Sequence, residues 1–432
     1  MMELTEEQEH AVSSAMYAIE HRRRYVIKGY AGTGKTTSLI ELVRRCQSRE
    51  YNICLTAPTN KAVDVIRRKM DEAGLHVDIM TTFKLLGLTI GSSGGKKVLK
   101  RGGPSSVRNY RSVITDECSM VSDELLKYMN RDCKSFISIG DPKQLPPVGE
   151  VESGAFNAGQ TTELKTVIRQ AAENPIIAAS MLIREMIDAE KFDIDKLKQS
   201  FSMDGDSGIV EAPYHVGLKW MMDSFKSPEF EQNNDKFRCV AWTNRTVNMI
   251  NKMAYNHVYD NPDTPFMPGQ TAVLRNNALE AFYVNQEVRV QKLNRETVPY
   301  RPDGRDATVT AAYAANQGII EPVDCWAVTL EGGGKEEVAY SIDDTVTHEC
   351  NLVALRAAAK NHGTVWPLFF SYLDYYADLR HPYAMTVHCS QGSTFENQFL
   401  LLDDVTKNPR TREMMQMLYV AVTRPSHCLV VM

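Results

Sequence analysis

Short apolar runs alternate with stretches of helical periodicity through the first third of the chain. Tyr25–Lys28, Asn52–Thr56, Val113–Thr115 and Phe136–Ile139 read as strands, and a helix is expected from Lys35 to Cys46. Strands separated by helices predict an α/β fold, a parallel sheet covered on both faces. Asn174 as cap with Pro175 at the first helical position predicts a helix over Pro175–Asp188. A second strand-rich region begins near Phe237, with Phe237–Trp242, Thr271–Leu274, Ala384–Val387, Phe399–Leu402 and Cys428–Val431 as strands of a second α/β unit. Between about 278 and 382 the pattern changes. Val288–Val290, Cys325–Leu330 and Val338–Ile342 are short strands near Gly-rich turns, followed by helical stretches at Asn351–Lys360 and Leu368–Leu379. This segment is expected to be a small inserted β-barrel with a helical arm.

Composition narrows the function classes. The 432 residues are 43% hydrophobic and 24% charged, which is globular rather than disordered. With 49 Lys and Arg against 54 Asp and Glu, the net charge of -5 excludes a basic coating protein. Nucleic acid, if bound, must be met by a local groove. No apolar run approaches the roughly 20 residues of a membrane helix. The opening Met1 to Gln8 is acidic and polar, unlike a secretory signal. Nine scattered cysteines without a C-x-x-C pair argue against a zinc ribbon and a disulfide scaffold, and His348 and Cys350 read as loop residues. A reducing cytosol is the expected compartment.

Gly29-Tyr30-Ala31-Gly32-Thr33-Gly34-Lys35-Thr36 fits G-x-x-x-x-G-K-[ST] between an expected strand and an expected helix, with Thr37 following. Such a loop turns backbone N–H groups inward around a phosphate, and the helix N-terminus adds positive potential. Lys35 would reach the β- and γ-phosphates of ATP and Thr36 would hold Mg²⁺. The strand Val113–Thr115 ends in Asp116 and Glu117. Asp116 would meet the Mg²⁺ and Glu117 would polarise the attacking water. Strand Phe136–Ile139 runs into Gly140-Asp141-Pro142-Lys143-Gln144-Leu145-Pro146-Pro147, where Gln144 is placed to sense a γ-phosphate.

That last segment resembles the third motif of superfamily 1 helicases, and the remaining motifs follow in order. Leu55-Thr56-Ala57-Pro58-Thr59-Asn60 resembles motif Ia and Thr81-Thr82-Phe83 motif Ib. Leu164–Gln170 resembles the arginine-bearing motif IV, with Arg169. Ala241-Trp242-Thr243-Asn244 resembles the strand-contacting segment of the second motor domain. Thr386–Glu396 resembles motif V, with His388, Ser390, Gln391 and Gly392, and Tyr419–Arg424 resembles motif VI. The chain is similar over nearly its whole length to the B branch of that superfamily, the RecD-like enzymes, and within it to compact phage helicases of the Dda type.

The resemblance implies an ATP-dependent DNA helicase with two RecA-like domains, moving 5′ to 3′ on single-stranded DNA. It also implies forked duplex DNA as substrate and a phage replication or recombination accessory role. A single-strand-binding protein or replisome components are candidate partners, with no membrane and a monomeric state expected. Arg169 and Arg424 would stabilise charge on the transferring phosphoryl group when the two motor domains close. Gln391 and Gly392 would border the nucleotide. Pro58, Thr59, Asn60, Thr81, Phe83, Trp242, Thr243, Asn244, Thr386, His388 and Ser390 would line the strand. Gln8 has two readings: it would hold the adenine edge, or close a capping box with Thr5. Trp242 and His388 have buried structural roles as alternatives, and the run His21–Arg24 reads as a solvated face.

The expected domains are 1–87 with 107–180 (first motor), 88–106 (a pin), 181–277 with 383–432 (second motor), and 278–382 (barrel and arm). By position the 88–106 insertion corresponds to the pin of the family. Leu88-Thr89-Ile90 and Lys97–Lys100 pair around Gly91–Gly95, with no aromatic residue at the tip. It is expected to act as a steric and electrostatic wedge. The arm's aromatic residues, from Val365 to Tyr376, are expected to pack on a neighbouring domain rather than to stack on bases.

Overall fold

The computed structural model describes residues 4–93, 96–168, 174–302, 304 and 306–432. Numbered along the chain, the strands begin with β1 (Arg24–Gly29), β2 (Ile53–Ala57) and β3 (Asp78–Thr81). The hairpin strands β4 (Leu88–Ser93) and β5 (Lys96–Arg101) come next, then β6 (Ser112–Thr115), β7 (Phe136–Gly140) and β8 (Gln160–Leu164). Without the hairpin these form a six-stranded sheet in the order β3-β2-β6-β7-β1-β8, parallel throughout. β2, β6 and β7 are buried along their whole length. Helices on both faces close over them, as continuous apolar strands require. The helix Glu6–Glu20 buries Ala11, Val12, Ala15, Met16 and Ile19 in that core.

A second six-stranded sheet is built from β9 (Met203–Asp204), β10 (Ser207–Glu211), β11 (Phe237–Ala241), β17 (Ala384–Thr386), β18 (Phe395–Leu400) and β19 (Pro425–Val431). Its order is β17-β11-β18-β19-β10-β9, parallel except for the β9–β10 edge pair. Both sheets are RecA-like, as expected. The helix Pro175–Asp188 has the predicted limits, and the Asn174 side chain accepts from Ile176 N at 2.8 Å. Its Ile176, Ala179, Ile183 and Ile187 sit in the core of the second sheet, against the helix Thr411–Val422. A first-domain boundary at 180 therefore cuts a helix that belongs with the second sheet.

The remaining strands, β12 (Thr271–Leu274), β13 (Glu287–Val298), β14 (Val323–Gly332), β15 (Lys335–Ile342) and β16 (Leu379–Arg380), form an antiparallel sheet in the order β15-β14-β13-β12-β16. Two expectations are corrected here. Thr271–Leu274 belongs to this sheet, pairing with β13 and β16, rather than to the second motor sheet. Leu379 is not the end of a helix but pairs with Leu274. The chain divides into two compact units, one of 1–88, 101–258 and 383–432, the other of 89–100 and 259–382. The inserted region thus begins at Tyr259, not near 278.

Within the second unit, Tyr300 meets Tyr372 at 5.4 Å and Tyr375 at 5.0 Å between ring centroids. Leu368, Phe369, Tyr372 and Tyr376 are buried with them, so the arm's aromatic residues are spent on packing. His348 lies in the helix Thr345–Asn361 rather than a loop, buried against the Tyr372 hydroxyl at 3.2 Å. No described helix is long and apolar enough to cross a membrane.

Candidate nucleotide cleft and strand-facing residues

The phosphate loop leaves β1 and opens the helix Lys35–Ser48, as the motif demands. Gly32 and Gly34 have φ of 76° and 78°, a region that glycine enters without a Cβ clash. A Cβ on Gly34 would also lie 2.2 Å from Gln8 Nε2. Gln8 does two jobs at once. Its Oε1 accepts from Thr5 N at 3.0 Å, closing the capping box, and its Nε2 donates to the loop carbonyl of Thr33 at 3.0 Å. Lys35 Nζ donates to the carbonyls of Gly29 (2.8 Å) and Tyr30 (3.0 Å) and lies 3.7 Å from Asp141 Oδ2. Thr37 follows on the first turn of the same helix.

A cavity of about 80 Å³ opens beside Lys35 and Thr36, floored by Asp116 and Glu117 and walled by Gly392 and Arg424. The two carboxylates retain some surface toward this cleft but are enclosed by protein. Burial pushes both above the usual carboxylate range. Asp116 adds to the rise of Glu117, while Arg424 and Lys35 oppose it; Lys69 and Lys35 oppose the rise of Asp116. Glu117 also sits at φ 50°, an uncommon conformation for a side-chain-bearing residue. Such strain concentrates at working sites. Glu117 Oε2 and Gln144 Oε1 are buried without a hydrogen-bond partner. The orphaned acceptor of Glu117, the cations Lys35, Lys69 and Arg424 and the hydroxyl of Thr36 around one cavity suit a phosphate with its metal and water. The hydroxyl of Thr36 and the carboxylate of Asp116 are hard oxygen donors of the kind Mg²⁺ takes.

Groups from the second sheet complete this cleft. Arg424, 7% exposed, is aimed by its own bonds to the carbonyls of Val420 and Ser393 and to Thr423 Oγ1. Gln391 Nε2 donates to Leu145 O at 3.0 Å and Gln416 Nε2 to Gln144 O at 3.2 Å. Leu145 itself is buried in the core of the second sheet. The Gly140–Pro147 segment is therefore gripped by residues that follow β17 and by the helix Thr411–Val422. Gln391 is not among the residues lining this cavity, and its amide is spent on the Leu145 carbonyl. Gly392 packs against Ala62, at 3.2 Å for a Cβ built on it. Arg169 lies outside the described residues; the segment before it is anchored by Ile168 N donating to Gly32 O at 3.0 Å.

Three contributors escaped sequence reasoning. Tyr419 OH donates to Asp141 Oδ2 at 2.7 Å and accepts from the phosphate-loop amide of Ala31 at 3.0 Å. Lys69 Nζ donates to Thr36 Oγ1 at 3.1 Å. Asp404 accepts from Trp242 N, Thr243 N, Thr243 Oγ1 and Thr246 Oγ1, fixing the turn that enters the helix Asn244–Val258. The only sequence signal was for Tyr419, which stands in the motif VI stretch. Lys69 shares a helix face with Ile66 and Ala62, three and seven residues back, but nothing in that spacing names its partner.

The strand-facing candidates fall at strand ends and helix starts. Thr59, Thr81 and Thr386 are helix N-caps, accepting from Ala62 N, Lys84 N and Cys389 N. Pro58, Asn60 and Phe83 flank these caps and are partly exposed, and Asn244 is exposed. Trp242 lays one face on the second core and keeps part of its surface open. His388 lies 3.7 Å from Glu413, and burial holds its imidazole below the usual range against that carboxylate. Ser390 does not fit a strand contact. It is 0% exposed, and its hydroxyl donates to Val387 O at 2.8 Å.

Two family models match: an AAA domain over residues 3–200 and a UvrD-like helicase C-terminal domain over 381–432. An uncharacterized protein of Acanthamoeba polyphaga mimivirus is 25% identical over 95% of both chains. The ATP-dependent RecD2 DNA helicase of Deinococcus radiodurans is 32% identical over 41% of this chain, which spans 23% of that protein. The Pif1 helicase from Bacteroides, solved with ADP-AlF3 and ssDNA, aligns with 100% of this chain and 92% of its own at 16% identity and a TM-score of 0.48. An AAA-type nucleotide site and a UvrD-like C-terminal domain thus share one cleft, the construction of an ATP-hydrolysing helicase.

Proposed function

We propose that this chain is an ATP-dependent DNA helicase that moves 5′ to 3′ on single-stranded DNA and opens duplexes at forks. The observation that carries the reading is the shared cleft, with Lys35, Asp116 and Glu117 from the first sheet and Arg424 from the second. Hydrolysis in such a cleft requires both halves, and a cycle of closing and opening becomes movement when each half also holds the strand. Lys35 and Arg424 bear on charge building on the transferring phosphoryl group, and Glu117 takes the proton from the attacking water. Arg169 is assigned a supporting role beside Arg424 by its motif. Thr36 and Asp116 would hold Mg²⁺, which when bound neutralises phosphate charge.

Pro58, Thr59, Asn60, Thr81 and Phe83 form the first-sheet half of the strand track, and Trp242, Thr243, Asn244, Thr386 and His388 the second. The direction of movement rests on the B-branch motif set. A phage replication or recombination accessory role rests on the motif resemblance alone. The test is strand displacement on duplexes with a 5′ or a 3′ single-stranded tail, with RNA-tailed duplexes as comparison. Opening of 5′-tailed DNA alone is expected. Opening of 3′-tailed DNA alone would place the chain in the opposite branch, and preference for RNA would change the substrate.

A further inference from the structure

A second concavity, about 790 Å³, lies on the first motor domain at the edge of the sheet where β6 and β7 begin. The nucleotide cleft is at the other ends of the same strands, so the two sites are separate. Six cations line the concavity against one carboxylate, on a chain whose net charge is -5. Three of the six are tied down. Arg101 pairs with Asp132 and donates to Leu86 O, Arg131 pairs with the same Asp132 at 3.0 Å, and Arg111 donates to Glu20 O at 2.7 Å over the Tyr51 ring. The side chains of the other three, Arg22, Arg108 and Lys134, are exposed and have no ion pair or hydrogen bond among the described residues.

Unpaired cations gathered in one concavity raise the local potential and call for a polyanion. The lining also says which kind. A track for single strands needs aromatic faces for unstacked bases. Here the one aromatic residue is Tyr110, whose hydroxyl is committed to Asp78 at 2.8 Å. Cations without stacking faces suit a backbone whose bases stay paired. The wall from Arg101 to Val107 is also the chain that returns from the β4–β5 hairpin. We propose that this groove binds the phosphate backbone of duplex DNA, the unopened arm of a forked substrate. The proposal rests on the helicase reading for its fork but not for its binding measurement.

The test compares the native chain with the triple variant Arg22→Ala, Arg108→Ala, Lys134→Ala. Blunt duplex and single-stranded oligonucleotide are titrated across a salt series. Three lost phosphate contacts should lower the salt slope for duplex by about 2.7 and its affinity at least about tenfold. Single-strand affinity and single-strand-stimulated ATPase should stay native, and the triple Lys or Arg exchange at the same positions should restore duplex binding. An unchanged duplex slope would overturn the proposal. Equal losses for duplex and single strand would also overturn it and give the groove to a displaced strand. If single-stranded DNA fails to stimulate ATP hydrolysis by the native chain, the helicase reading fails instead, and the duplex titration still decides the groove.

Discussion

In the first sheet the central strands run β2–β6–β7–β1, and in the second the corresponding run is β11–β18–β19–β10. β1 and β10 take the same place, β2 and β11 each lie three positions away, and an insertion interrupts the chain after β3 in the first sheet and after β11 in the second. What differs is the loop after the first strand. β1 opens into glycines at positive φ and a lysine, whereas β10 passes through Ala212-Pro213 straight into the helix Tyr214–Phe225. On the proposed reading the loop's backbone and Lys35, not the topology, would bind phosphate. The second sheet keeps the wiring and instead delivers Arg424 and Tyr419 to its neighbour's site, and Gln391 to the Gly140–Pro147 segment. On the proposed reading one nucleotide would answer to both sheets, as a motor needs.

The sharpest way to break this asymmetry is Lys35→Ala. Hydrolysis should fall at least about a thousandfold, because a cation aimed at transition-state charge is lost from a water-poor cleft. Thermal melting and single-strand binding should stay near native. Glu117→Gln should slow turnover by about a hundredfold or more while nucleotide binding persists, since an amide takes no proton from water. The variant should retain DNA in the presence of ATP. Replacing 89–100 by a short turn tests the first sheet's insertion. Strand displacement should drop at least about tenfold with single-strand-stimulated ATPase close to native, read as a change in one rate and not the other. The smallest effect is expected from Tyr419→Phe. Losing a buried donor to Asp141 and the acceptor for Ala31 N should cost about 1–3 kcal/mol of stability in denaturant melts, with a few-fold fall in turnover.

Legibility followed the same asymmetry. The phosphate loop and the acids after β6 could be read because their chemistry is local, a few residues at fixed spacing. Tyr419 could not, because its partners lie 278 and 388 residues away. Among the strands of the first sheet, β3 and β8 were missed: Asp78–Thr81 is partly exposed and Gln160–Leu164 is polar and at the sheet edge, so neither carries an apolar run; in the second, β9 and β10 lie before Phe237, where no strand was expected. β13 was read only over Val288–Val290 because its register shifts between Val290 and Lys292, where the alternation breaks. Thr271–Leu274 was assigned to the wrong sheet because a short buried strand looks alike in parallel and antiparallel surroundings. Ser390 was taken with its motif, although its hydroxyl is used up inside its own turn.

The dependence of the first sheet's chemistry on the second is most directly measured by single-turnover ATP hydrolysis in Arg424→Lys, with and without single-stranded DNA. Lysine keeps the charge but not the planar fork or its reach. Nucleotide binding should remain near native, while hydrolysis falls by about a thousandfold and its stimulation by DNA disappears. Hydrolysis at the native rate, still stimulated by DNA, would contradict a cleft completed by the second domain.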